Sequence, residues 1–421
     1  MNRIFWIIVF SIITLSVQAQ NVGVSPYSAW GYGDKKLNFG AATFGMADVS
    51  TPFQSELGNQ SNFMNPAANA NLRLTNFSFE GGTDVGNFQN NNESFTRTSS
   101  YLSRIHLGFP MGQKFRAGIG FQPFSSVGYK TGNYNYSTSP ISINQLEGVG
   151  GLNTLQAMLS YNVTSKLAVG VRGDYIFGDI EKRELFSTSN TQLVSEYKQG
   201  HHISGLQATL GGMYIHNVAE DKRLQIGATY SIGSQSAAEQ QYRVSTFQLN
   251  PIDFTRNNED VLIDRVSDRK VRIPQNVSAG LMYVKDRKWQ LGAQVDWEQT
   301  SDYRLQFENY EMADRFRVAL GGAFIPNITS FRSFFSRSSY RAGLYYGNSP
   351  IVARGQHLQD YGITFGIGIP VGRAASPSEV NLGVQLGQRG SLESNLIREN
   401  YANFRLSFTL NDLWFQRRVY D

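Results

Sequence analysis

The stretch Trp289-Gln290-Leu291-Gly292-Ala293-Gln294-Val295-Asp296-Trp297 decides the fold. Successive side chains of an extended chain point to opposite sides, so Trp289, Leu291, Ala293, Val295 and Trp297 share one face and Gln290, Gly292, Gln294 and Asp296 the other. One face suits hydrocarbon and the other suits water, as in a strand of a closed transmembrane barrel. At about 3.3 Å per residue and a tilt of about 40°, the two tryptophans stand roughly 20 Å apart in height, close to an apolar band with an aromatic residue at each water interface.

Thirteen further stretches alternate in the same way, and the fourteen together predict strands over residues 74–88, 102–109, 115–124, 155–161, 167–177, 206–214, 224–232, 277–283, 289–297, 316–324, 340–346, 361–369, 380–386 and 404–410. An even count is the rule for bacterial single-chain barrels and predicts both mature termini on the periplasmic side. Connection lengths sort the same way. Residues 110–114, 162–166, 215–223, 284–288 and 370–379 are short, whereas 125–154, 178–205, 233–276 and 387–403 are long. Short turns on one side and long loops on the other is the asymmetry of such barrels. Residues 325–339 are an exception, long on the short side and carrying Phe331, Phe334 and Phe335; the expectation is a loop tucked under the barrel. Pro110, Pro326 and Pro370 each end an apolar run on the short-turn side, where a missing N–H does not harm the ladder, while Pro123 marks a bulge or kink in the third strand.

The ends of the chain set the location. Arg3, the mostly apolar residues 4–17 and the small-residue site Val17-Gln18-Ala19 read as a cleaved signal peptide over 1–19. No other run approaches the roughly 20 apolar residues of a spanning helix. Residues 20–72 do not alternate and are rich in Gly, Ala, Asn and Ser, which predicts a segment folded into the barrel mouth or lumen, with the barrel itself over 73–421. With no cysteine, thiolate metal sites, cysteine nucleophiles and disulfides are all excluded. The net charge of +5 comes from interspersed residues and gives no basic tract, so no nucleic-acid partner is expected.

The lumen face follows from parity. Arg104, Arg116, Arg172, Asp174, Asp296, Arg317, Arg341 and Arg405 point inward, since Arg facing hydrocarbon at mid-depth costs about 2–4 kcal/mol. They are expected to form ion pairs bracing the lumen, or alternatively to select a polar solute. The remaining inward positions are mostly Gly, Ser, Thr and Gln, with Met158, Met213, Met282, Ile176 and Tyr345 as the apolar candidates. His201 and His202 read as solvated rim residues rather than metal ligands. Gly118-Ile119-Gly120 and Gly366-Ile367-Gly368 lie inside alternating strands and open no helix, so they are lumen-facing glycines and not a nucleotide fingerprint. No catalytic motif is present, and neither enzyme activity nor a cofactor is expected.

Asn65-Pro66-Ala67, closing a Gly/Ala-rich segment before the first strand, resembles the hatch of the FadL/TodX (OMPP1) outer-membrane barrels, which transport long-chain fatty acids and hydrocarbons. Residues 25–28, 122–129, 399–401 and 411–415 look like the Bacteroidota branch of that family. The resemblance implies a 14-stranded barrel with an N-terminal hatch and a lateral opening beside a kinked third strand, through which a hydrophobic small molecule passes. It makes Asn65, Pro66 and Ala67 hatch residues and Pro123 the mark of the kink, with Met158, Met213 and Met282 as ligand candidates. The expected surroundings are outer-membrane lipid and lipopolysaccharide. Some relatives act instead as accessory subunits of outer-membrane protein secretion or assembly complexes, which implies envelope protein partners and no transport path.

Overall fold

The computed structural model describes residues 23–36, 40–56, 58–137, 139–250, 255–302, 311–330, 333–373 and 376–412. The signal peptide, Phe331 and the 413–415 part of the tail resemblance lie outside them. The strands are β1 (Asp34–Lys35), β2 (Thr75–Gln89), β3 (Ser94–Met111), β4 (Phe115–Asn135), β5 (Ser142–Asn162), β6 (Leu167–Thr188), β7 (Leu193–Ala219), β8 (Lys222–Ser231), β9 (Ser234–Leu249), β10 (Arg256–Ile273), β11 (Asn276–Lys285), β12 (Trp289–Glu298), β13 (Glu311–Met312), β14 (Arg315–Phe324), β15 (Ser339–Ala353), β16 (Gln356–Arg373), β17 (Ser376–Arg389) and β18 (Arg398–Asp412).

Fourteen of these, all but β1, β9, β10 and β13, form an antiparallel barrel. The ladder runs in chain order, β8 pairing directly with β11 and β12 with β14. It closes where β18 meets β2, from Arg398 opposite Gln89 to Asp412 opposite Thr75. Closure matters because hydrocarbon offers no partner to a backbone N–H or C=O.

The alternation does what parity requires. Leu291 and Val295 of β12 and Leu320 of β14 face outward and exposed, while Gln294 between them is buried. Outward aromatics stand near both limits of this belt, such as Phe324 and Phe316 of β14. The Arg and Asp residues expected inward behave accordingly: Arg104, Arg116, Arg172, Asp174, Arg317, Arg341 and Arg405 are all buried.

Two features depart from expectation. Residues 125–154 and 178–205 are not loops but mostly the continuation of β4–β5, after a register shift between Pro123 and Ser125, and of β6–β7 in unbroken register. Residues 233–276 hold a hairpin of β9 and β10, with β9 also paired to the upper part of β7. The reason is physical. Beyond the hydrocarbon the outer face of a strand meets water, so the apolar–polar alternation fades although the backbone still pairs, and β10 is exposed on both faces over most of its length. Residues Asn257 to Asp260 of β10, Asn-Asn-Glu-Asp, show this plainly.

The connection 325–339 contains a four-residue helix, Phe334–Arg337, capped by Ser333. The Tyr340 hydroxyl donates to the Phe335 carbonyl, which brings the exposed Phe334 and Phe335 rings beside the outward face of β15.

Leu320→Arg is expected to destabilise the barrel in lipid vesicles by about 2–4 kcal/mol. Val266→Arg, on the β10 extension beyond the belt, should change the urea midpoint little.

Candidate functional site

The N-terminal segment, residues 23–72, lies against the inner wall and is buried over most of its length. Its hold on the wall is ionic. Asp84 of β2 takes Lys36 at 2.6 Å and Arg405 of β18 at 2.7 Å, and also accepts from the Tyr101 hydroxyl at 3.0 Å. Glu298 of β12 pairs with Lys35 at 2.8 Å. Arg389 of β17 bridges Asp34 at 2.8 Å and Glu399 at 2.6 Å, and Ser25 donates to the same Glu399. Arg317 stands between Asp296 at 3.6 Å and Asp48 at 3.9 Å and donates to the Ala47 carbonyl. Arg172 pairs with Asp174 and reaches the Phe63 carbonyl, while Arg116 donates to the Leu72 carbonyl at 2.7 Å. Each inward cation thus finds either a wall carboxylate or the N-terminal segment. Unpaired, each would cost several kcal/mol.

Close approach on the wall requires glycine. A Cβ at Gly211 would run into the Asn65 side chain and Pro66, and one at Gly321 into the Met46 carbonyl. Asn65 caps the turn Pro66–Asn69 by accepting from Ala67 N–H, and its amide donates to the carbonyls of Thr51 and Gly212. Ala67 packs with Ala68, Ala168 and Met213, and Asn69 donates to the Met158 sulfur. Met282 belongs to a different cluster, with Met46 and Val49. The structure therefore gathers Asn65, Pro66, Ala67, Met158 and Met213 at one contact and puts Met282 and Pro123 elsewhere.

Pro123 sits at a register shift between itself and Ser125 on the β5 side of β4. On the other side the wall is interrupted. The β3–β4 ladder runs from Met111 opposite Phe115 to Ile105 opposite Phe121 and ends there, although both strands continue. Above that point the edge of β4 is met by the N-terminal segment. Asp34 and Lys35 pair with Ser126 and Ser125, Lys36 N–H donates to the Phe124 carbonyl, and Gly128 N–H donates to Ser28 Oγ. Arg97 of β3 reaches across to the Lys130 carbonyl.

Between the N-terminal segment and the long-loop end lies a cavity of about 260 Å³. Asp48, Asp84, Asp296, Arg317, Arg389 and Arg405 are in its lining, and none of the seven residues singled out from the sequence is. A second cavity of about 390 Å³ lies at the short-turn end, between the N-terminal segment and the 325–339 connection. Burial raises the Glu56 carboxyl there, opposed by a hydrogen bond from Arg287 N–H. His201 corrects an expectation: it is buried, because β7 turns it inward, and only His202 is exposed, 2.7 Å from Asp179. The charged members Asp34, Lys35, Lys36 and Asp48 were missed; their signal was the presence of charge in a segment otherwise made of small residues.

Comparison with known proteins gives a family and a fold. The family model described as BamG matches residues 1–421. No curated protein matches. Among solved structures, a Pseudomonas aeruginosa FadL homologue is similar with a TM-score of 0.61 at 13% identity, covering 90% of this chain and 99% of its own. The Ralstonia pickettii toluene transporter TbuX gives a TM-score of 0.59 at 13% identity over 89% of this chain and 98% of its own. The CymD monoaromatic hydrocarbon channel gives 0.57 at 13% identity over 91% and 100%. The chain thus shares the fold of these FadL-type β-barrels.

Asp84→Ala strands Lys36 and Arg405 without their shared partner and is expected to cost about 3–5 kcal/mol. Limited trypsin digestion in detergent should then cut after Lys36, where the wild-type protein resists.

Proposed function

The chain belongs to the BamG family, and from that premise we propose that it is a non-transporting accessory subunit of an outer-membrane protein secretion or assembly complex. The observation that carries this reading is the ionic bracing of the lumen. A route for a hydrophobic compound wants predominantly apolar walls. Here carboxylates and guanidinium groups stand among Trp30, Phe44, Phe124 and Ile351 in the lining of the cavity above the N-terminal segment, and the segment is tied to β2, β12, β14 and β17 by ion pairs. A barrel of this kind offers surface rather than passage. Strands β4–β7, β9 and β10 extend well beyond the belt, and the 325–339 connection lies at the opposite end. On this reading the short-turn end and both mature termini face the periplasm, residues 20–72 act as a permanent filling, and the partners are envelope proteins.

A second reading is favoured by one specific observation, the end of the β3–β4 ladder at Ile105 and Phe121. In this reading residues 20–72 are a hatch around Asn65, Pro66 and Ala67, and withdrawal of β1 from β4 opens the wall beside Pro123. Small hydrophobic compounds then pass through this opening, a reading supported by the similarity to the CymD monoaromatic hydrocarbon channel and the toluene transporter TbuX.

Gentle extraction of the native membrane followed by size separation discriminates the two. The accessory reading expects co-migration with another outer-membrane protein, and vesicles carrying the purified barrel taking up labelled toluene no faster than protein-free vesicles. A free monomer with accelerated, saturable uptake contradicts it and supports the hatch.

A further inference from the structure

The cavity at the short-turn end is not used by the bracing described above. Its floor is the N-terminal segment, through Phe53, Glu56 and Gln60, and its wall includes the inward-facing Gln290, Arg341 and Glu379. Its lining joins these inward residues to the outward-facing Trp289 and Val371, so its mouth lies at the short-turn rim of the barrel. Ile325, Ile328, Pro370 and Val371 make much of the remaining lining apolar. At about 390 Å³ it falls in the size range of ligand sites.

Its charge is unbalanced. The lining holds Arg287, Lys288, Arg337 and Arg341 against Glu56 and Glu379. Glu379 is committed to Arg341 at 2.8 Å and to the Gln60 amide at 2.5 Å, and Glu56 accepts from Arg287 N–H at 2.7 Å. Among the described residues, no carboxylate lies within ion-pair distance of the side chains of Arg287, Lys288 or Arg337, and the buried Arg337 Nε has no hydrogen-bond partner. An apolar lining beside an excess of cations is complementary to an apolar side chain flanked by carboxylates.

We propose that this cavity is the docking site for an acidic, aromatic-containing segment of a periplasmic partner protein. The inference rests on the accessory-subunit reading and deepens it. An occupant would touch Phe53, Glu56 and Gln60 directly, so docking also holds the N-terminal segment in place from below. The long connection 325–339 acquires a reason: it supplies Ile325, Ile328 and Arg337, which a short turn could not.

The test uses the full-length protein in nanodiscs and fluorescently labelled short peptides, one alternating Phe and Glu, the other Phe and Lys. The Phe–Glu peptide should bind saturably and the Phe–Lys peptide should not. The combined Arg287→Glu, Lys288→Glu and Arg337→Glu variant should weaken Phe–Glu binding by at least about tenfold and bind the Phe–Lys peptide instead. Ile328→Asp, with the three cations intact, should weaken the Phe–Glu peptide as well. Folding of both variants is checked by heat-modifiable migration on gels. Equal binding of both peptides, no response to charge reversal, or displacement of the Phe–Glu peptide by dodecanoate at comparable concentration overturns the proposal, the last in favour of a lipid-like carboxylate. Site variants that leave the native complex intact overturn the docking site alone; absence of any native complex of the unmutated protein overturns the accessory reading itself.

Discussion

Every backbone polar group at membrane depth must find its partner within the protein, and among the described strands of the wall the ladder is interrupted between β3 and β4. The β18–β2 closure removes the edges that an open sheet would carry. Between β3 and β4 the wall ladder stops at Ile105 and Phe121, and the N-terminal segment supplies what is missing with Asp34, Lys35, Lys36 and Ser28. The segment is therefore part of the wall as well as its filling. The same few residues that complete the hydrogen bonds of β4 carry the charges that reach Asp84, Glu298 and Arg389.

A fourteen-stranded barrel is too wide for its own side chains to fill, so its inner face must meet either water or another segment. Buried guanidinium groups such as those of Arg172, Arg317 and Arg405 make the second outcome self-consistent, since each gains a carboxylate or carbonyl partner from the wall or the segment. The arrangement explains why the inward positions are so polar. It also separates fold from activity: a backbone shared with hydrocarbon channels at 13% identity carries a lumen whose chemistry is ionic.

Period-two alternation made the fourteen wall strands legible, because only one register puts Leu291, Val295 and their counterparts towards lipid. The inward set of Arg104, Arg172, Arg317 and Arg405 followed from the same parity. Partners were not legible. Nothing in the local sequence of Lys36 points to Asp84, 48 residues away and held there only by closure of the barrel. The strand extensions escaped because alternation reports a boundary between lipid and interior; β10 has water on both faces over most of its length, and the outer face of β9 meets water instead of lipid. His201 escapes for the same reason, since its stretch of β7 lies where no apolar alternation marks which side chains turn inward.

The central claim is that the N-terminal segment closes the bore as a fixed element of the fold, and single-channel recording in planar bilayers tests it most directly. The account predicts no open current from the wild-type protein across the range of applied voltage. Steady conductance steps from the wild-type protein, at voltages that leave the barrel folded, would contradict it.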